Sequence, residues 1–303
     1  MNQYGYIGRK IRQPDLKEKP AIIIVPFGSS SRAGKLLSRF MEKLEKNFPE
    51  YNIFQAYSSE VLRRKLNLPS LQECLAKVEA MGFRRAVVQP LHIFPGTEYM
   101  QIMETCRFFP GMRVILAESL LHRWEYIKAC LETMEKDFLP PEKGLNLLAI
   151  HGTPLATEQV NCIYLGLERM LAGRYANVLL AAIEGIPDFE SVLAQINRHT
   201  LWLRPQQTNE NPTAAKQPSA VRFSDKRIRI IPMMFIAGIH VEDDLMGNND
   251  SWRRSLEDMG FLVDCPQIES ADGSRFAGLA DSPAIFEFFM ERIERALFLE
   301  KSY

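Results

Sequence analysis

Residues 21–37, AIIIVPFGSSSRAGKLL, decide how the chain is read: an apolar, mostly β-branched run, a turn of small residues, then the start of an amphipathic segment. The Gly-Lys pair invites comparison with a phosphate-binding loop. That loop needs four residues between its first Gly and the Gly-Lys, and a hydroxyl after the Lys to hold Mg²⁺. Here five residues separate Gly28 from Gly34, and Leu36 has no hydroxyl. The stretch is therefore a strand, a turn and a helix with no nucleotide role.

Working outward, the same alternation recurs. GKLLSRFMEKLEKNF places Leu37, Phe40, Met41 and Leu44 at helical spacing, and YNIFQAY follows as a strand. SLQECLAKVEAMGF opens on a Ser70/Glu73 capping box and stops at Gly82, ahead of the strand RAVVQPLHIF. The helix EYMQIMETCRFF, the strand MRVILAES and a helix around Trp124, Ile127, Leu131 and Met134 complete a first half. After LPPEK the pattern restarts: LNLLAIHG, a helix from Val160 to Leu171, NVLLAAIEG, a helix through Val192 and Ile196, and IRIIPMMFIAG. Strands alternating with helices of this length predict an α/β protein whose parallel sheets are covered on both faces.

The second half repeats the first. IIIVPFGSS lies on NLLAIHGTP, setting Phe27 against His151; QAYSSE lies on AAIEGI, setting Ser58 against Glu184; QPLHIFPGTEY lies on IPMMFIAGIHV, setting Glu98 against His240. The expected organisation is an N-terminal extension (1–20), a first α/β lobe (21–139) and a second (145–303). The lobes are expected to be similar, each a small parallel sheet flanked by helices, with a cleft between their strand ends, where ligands of doubly wound sheets bind. RPQQTNENPTAAKQPSA (204–220), polar and with three prolines, reads as an exposed insertion in the second lobe.

Bulk properties narrow the function. Of 303 residues, 46% are hydrophobic and 24% charged, a globular composition. Lys+Arg and Asp+Glu both number 37, so no basic field exists to release counterions along nucleic acid. The five cysteines are scattered and never form C-x-x-C, which argues against a disulfide framework or structural zinc. No apolar signal core precedes Ala21, and AIIIV is too short to cross a bilayer, so a cytoplasmic, non-membrane protein is expected.

In the second half three strand ends carry groups able to bind metal or accept protons: His151, Glu184 and His240. Taken singly, a histidine at a strand end is often a half-buried hydrogen bonder. A carboxylate between an apolar strand and Gly-Ile-Pro is harder to dismiss, because burying it unpaired is costly. Three such groups at matching edges of one repeat favour chemistry. Two imidazoles and a carboxylate suit Co²⁺, Fe²⁺, Ni²⁺ or Zn²⁺ without choosing among them.

VVQPLHIFPGTEY, HGT, IEGIPDFESVL and PMMFIAGIHVEDDLMGNNDSWRRSLEDMGF resemble the anaerobic sirohydrochlorin cobaltochelatases, the CbiK-type class II chelatases. The likeness runs in order from about Ala21 to the C-terminal helix, and the stretch from His240 through GNNDSW is its most specific piece. The resemblance implies a two-lobed enzyme of cobalamin biosynthesis that inserts Co²⁺ into a tetrapyrrole without ATP, nucleotide or a different subunit. Iron or another metal, another porphyrin, a non-catalytic tetrapyrrole carrier and a homo-oligomer all remain compatible with it. It assigns His151 as base and metal ligand, His240 as ligand, and Glu184 as proton acceptor and occasional ligand. Ser29, Ser30 and Arg32 fall in the family's first turn, where they could bind an acidic arm of the tetrapyrrole. His92, inside an apolar run, reads as structural; His122 and His199 read as solvated; Asp243, Asp244 and Asp250 could orient His240. The chain departs from the family at Leu155, where a second His is usual, at Ile239, where an Asp is usual, and at Phe27, where a small residue is usual.

Overall fold

A computed structural model describes residues 14–28, 31–202, 226–270 and 273–302. The first sheet contains β1 (Ala21–Val25), β2 (Ile53–Gln55), β3 (Arg85–Pro90) and β4 (Arg113–Leu116) in the order β2-β1-β3-β4. The second contains β5 (Leu145–Gly152), β6 (Val178–Glu184), β7 (Arg227–Pro232) and β8 (Leu262–Asp264) in the order β6-β5-β7-β8. All six neighbouring pairs are parallel, and the second sheet repeats the topology of the first. The α/β architecture read from the sequence is thus the one observed.

All five residues of β1 are buried, as a parallel strand covered on both faces requires. Helix α1 (Ser31–Asn47) buries Phe40 and Leu44 completely. A short helix, α2 (Glu60–Leu66), follows β2, capped by the Ser59 hydroxyl. Helix α3 (Leu71–Ala80) starts with the expected capping box: Ser70 Oγ accepts from Glu73 N at 3.1 Å and the Glu73 carboxylate accepts from Ser70 N at 2.7 Å. It ends at Met81, followed by Gly82 at φ +95°, a conformation natural to glycine. Leu71, Cys74, Leu75 and Val78 of α3, with Ile102 and Cys106 of α4 (Thr97–Phe108), pack on the face formed by Ala21, Ile23, Val25, Ala86 and Val88.

In the second sheet, Leu147 and Ala149 of β5 share a core with Leu179 and Ala181 of β6, and with Val192 and Ile196 of α7 (Phe189–Trp202). Val241 and Leu245, in the single π-type turn Val241–Leu245 after β7, and Leu256 of α8 (Trp252–Asp258) complete it. Helices α5 (Trp124–Met134) and α6 (Asn161–Arg174), the antiparallel hairpin β9 (Gln267–Ser270) with β10 (Gly273–Phe276), and α9 (Pro283–Ser302) complete the element order.

Two compact units emerge, and their boundaries differ from the expected 21–139 and 145–303. One comprises residues up to His92, Glu98–Ser119 and Phe289 onward; the other, Ile93–Thr97 and Leu120–Phe288. Helix α5 therefore belongs with the second sheet, where the Trp124 ring occupies the space a Cβ on Gly166 of α6 would need. The end of α9 belongs with the first: Phe289 meets Phe40 edge-on at 6.0 Å, and Glu300 pairs with Arg85 at 3.0 Å. Chain order alone does not say which sheet a terminal helix covers. The 204–220 stretch lies outside the described residues.

Candidate metal centre

Strands β6, β5 and β7 are adjacent and parallel, so their carboxyl ends share one edge. His151 is the penultimate residue of β5, Glu184 ends β6, and His240 precedes the π-type turn after β7. All three side chains are solvent-accessible.

Two glycines make this edge possible. Gly152 has φ +79°, and a Cβ there would stand 1.9 Å from the Glu184 carbonyl oxygen. Gly185, at φ +82°, would place a Cβ 2.0 Å from the Thr153 carbonyl oxygen. Only glycine allows these loops to touch through their backbones. The loop after β5 is further held by Thr153 Oγ1, which accepts from Leu155 N at 3.2 Å, and by Asn161 Nδ2, which donates to Leu155 O at 2.9 Å. Beyond His240, Ser251 is buried; its hydroxyl caps α8 by accepting from Arg254 N at 3.1 Å and donates to Gly247 O at 2.8 Å. Trp252 stacks on Phe189 at 4.4 Å, tying the start of α8 to the start of α7.

This framework brings the two histidines together, with ring centroids 4.8 Å apart and planes at 90°. His240 Nδ1 lies 2.7 Å from Asp244 Oδ2 one turn on, so a neutral His240 donates from Nδ1 and keeps a lone pair on Nε2. His151 Nδ1 lies 3.3 Å from the Gly152 carbonyl, which favours the same tautomer. Two imidazoles bound to one ion at ~2.0–2.1 Å, separated by 90–110° at the metal, hold their centroids about 4.5–5.2 Å apart. The observed 4.8 Å falls within that span.

Glu184 stands one residue out of step with His151. In the parallel register Glu184 aligns with Gly152, one residue beyond His151. Alternate residues leave a strand on opposite faces. His151 continues the face of Leu147 and Ala149, which packs against Val241 and Leu245 beside His240; Glu184 follows the other face. Among the described residues, no three His, Cys, Asp or Glu side chains are grouped as a metal ion would require. Of the acidic residues after His240, Asp244 makes the orienting contact. Sequence spacing could have singled it out, since residues four apart meet on a helical turn.

Ser29 and Ser30 fall outside the described residues, and Arg32 lies in the first turn of α1. His92 sits just past β3, with Nε2 3.2 Å from Ser58 Oγ and Nδ1 buried without a partner. Burial pushes its pKa down to about 4, consistent with a structural, neutral imidazole.

The family model for cobalt chelatase (CbiK) matches residues 20–298. The chain belongs to the CbiK family. Two curated relatives match most of this CbiK chain. The sirohydrochlorin cobaltochelatase of Salmonella typhimurium is 21% identical over 290 residues, 92% of this chain and 97% of that one. The sirohydrochlorin cobaltochelatase CbiKC of Nitratidesulfovibrio vulgaris is 23% identical over 262 residues, 80% of this chain and 81% of that one. Among solved structures, Bacillus subtilis SirB with Fe³⁺ superposes with a TM-score of 0.58 at 14% identity, covering 92% of this chain and 96% of that one. SirB from Bacillus subtilis subspecies spizizenii, in complex with cobalt, gives a TM-score of 0.54 at 16% identity over 92% and 95% of the two chains. The CbiK chain thus has the class II chelatase fold. No helix among its described residues is long and apolar enough to cross a membrane.

Proposed function

We propose that this chain inserts Co²⁺ into sirohydrochlorin, in the cytoplasm and without ATP, with the metal as substrate. The observation that carries the reading is the perpendicular His151/His240 pair at 4.8 Å, with each Nδ1 at an oxygen acceptor so that a neutral ring keeps its lone pair on Nε2. Membership of the CbiK family and the names of the two curated relatives support the choice of metal and ring.

Insertion exchanges one M²⁺ for two pyrrole N–H protons, so the site must release a metal and accept protons together. In this reading His151 and His240 present the ion through Nε2. As the ring nitrogens displace the imidazoles, the Nε2 of His151 is freed and takes one proton. Glu184, on the adjoining strand end but out of step with the histidines, serves as acceptor for the second. Because it stands outside the imidazole pair, its carboxylate is free for proton transfer while the ion is held.

The test is anaerobic incubation of the purified protein with sirohydrochlorin and Co²⁺, followed by visible spectroscopy, beside His151→Ala. Metallation above the uncatalysed rate without ATP, abolished in the variant, is the expected result. Replacing Co²⁺ by Fe²⁺ or Ni²⁺ ranks the metals, and faster turnover with Fe²⁺ would reassign the substrate metal. Tight tetrapyrrole binding with no turnover would make the protein a carrier and overturn the enzyme reading.

A further inference from the structure

Three large aliphatic side chains lie exposed on the same three loops as the candidate metal centre: Leu155 at 57%, Ile186 at 47% and Ile239 at 66%. Leu155 lies four residues past His151, Ile186 two past Glu184, and Ile239 directly before His240. The loops are in mutual contact, through Gly152 against Glu184 O, Gly185 against Thr153 O, and the two imidazole rings. Exposed aliphatic side chains on the loops that also carry groups able to do chemistry supply the apolar component that ligand sites combine with a few polar groups.

The charges of these loops sharpen the point. Residues 153–160, 185–188 and 233–251 contain no Lys or Arg, but they carry six carboxylates: Glu158, Asp188, Glu242, Asp243, Asp244 and Asp250. The first cations after the third of these loops are committed locally, Arg253 to Asn248 at 2.8 Å and Arg254 to Asp258 at 3.0 Å. An acidic arm of a ligand finds no cationic partner on these loops, which instead carry three exposed aliphatic side chains and two imidazoles.

We propose that Leu155, Ile186 and Ile239 are positioning residues that seat the apolar face of the tetrapyrrole over the imidazole pair, so that this unit recognises the ring by its face and not by its carboxylates. The inference rests on the chelatase reading and deepens it: metal affinity comes from the histidines, ring affinity at this edge from the aliphatics. Because all three side chains are exposed, polar replacements leave the fold intact.

The experiment uses uroporphyrin, an octacarboxylate, as a non-turnover probe whose fluorescence reports binding, with parallel Co²⁺ titrations. Leu155→Asn, Ile186→Asn and Ile239→Asn should each weaken uroporphyrin binding about fivefold, the size expected for losing about half the burial of an aliphatic side chain. The triple variant should weaken it ~100-fold, with Co²⁺ affinity changed less than about twofold. In turnover, KM for the tetrapyrrole should rise while kcat changes little. Ile239→Arg separates face from arm recognition. An added cation weakens binding if the ring face sits there, and tightens it if carboxylates do. Unchanged affinity in the Asn variants, or tighter binding by the Arg variant, overturns the proposal. A wild-type protein that binds Co²⁺ but neither uroporphyrin nor sirohydrochlorin overturns the chelatase reading itself, and this inference with it.

Discussion

Replacing Asp244 by Asn isolates what the carboxylate does for His240. The contact is 2.7 Å long, and the two side chains are 46% and 45% exposed, one helical turn apart. An exposed pair of this kind contributes about 0.2–1 kcal/mol to folding, so the urea midpoint should hardly move. Its effect on the metal should be larger. With Asp244 in place, Nδ1 must donate and Nε2 keeps its lone pair; an Asn amide can instead donate to Nδ1, which shifts the proton to Nε2 and blocks the ligand atom. Loss of such a partner costs 10–100-fold in metal affinity, about 1.4–2.7 kcal/mol. Calorimetric Co²⁺ titration of the wild type, Asp244→Asn and Asp244→Glu, with urea denaturation of each, measures both quantities. A Co²⁺ affinity within twofold of wild type in Asp244→Asn would refute the argument. So would a loss of affinity matched by an equal loss of folding stability.

Three further outcomes follow from the same structure. Because burial holds the His92 pKa down at about 4 against an ordinary 6.5, only the unfolded chain takes up a proton between those values. Stability is then full above about pH 6.5 and falls toward pH 4 by up to about 3 kcal/mol; urea midpoints at pH 7.5 and 4.5 should show this slope, and His92→Asn should flatten it. Ser251→Ala removes the cap of α8 and should cost about 1–2 kcal/mol in urea unfolding, with Co²⁺ affinity falling only as far as the loop after β7 loosens. Gly152→Ala forces a positive φ on a residue with a Cβ and drives that carbon into Glu184 O; it should cost at least about 1–3 kcal/mol and abolish tight Co²⁺ binding.

Much of this was legible in the residues. The runs AIIIV and LNLLAI could be read as covered parallel strands because both faces of such a strand are apolar. The repeat of strand, small-residue turn and helix then placed His151, Glu184 and His240 on one edge. What periodicity does not carry is register: aligning strand ends by motif hid the one-residue offset that separates Glu184 from His151. Nor does an amphipathic pattern name the sheet it covers, which is why α5 and the end of α9 fell on the other side of the expected boundary. The short elements α2, β8, β9 and β10 hold three to seven residues each, too few to show a period. The exposure of Leu155 and Ile239 depends on how three loops meet, which is a tertiary fact.

The central claim is that His151 and His240 hold one divalent ion between them. X-ray absorption at the cobalt edge counts imidazole ligands directly, on the wild type and on His151→Ala and His240→Ala, each loaded with one equivalent of Co²⁺. Two imidazoles in the wild type and one in either variant is the predicted result. A spectrum without imidazole scattering, or one unchanged by both substitutions, would place the metal elsewhere and contradict the account.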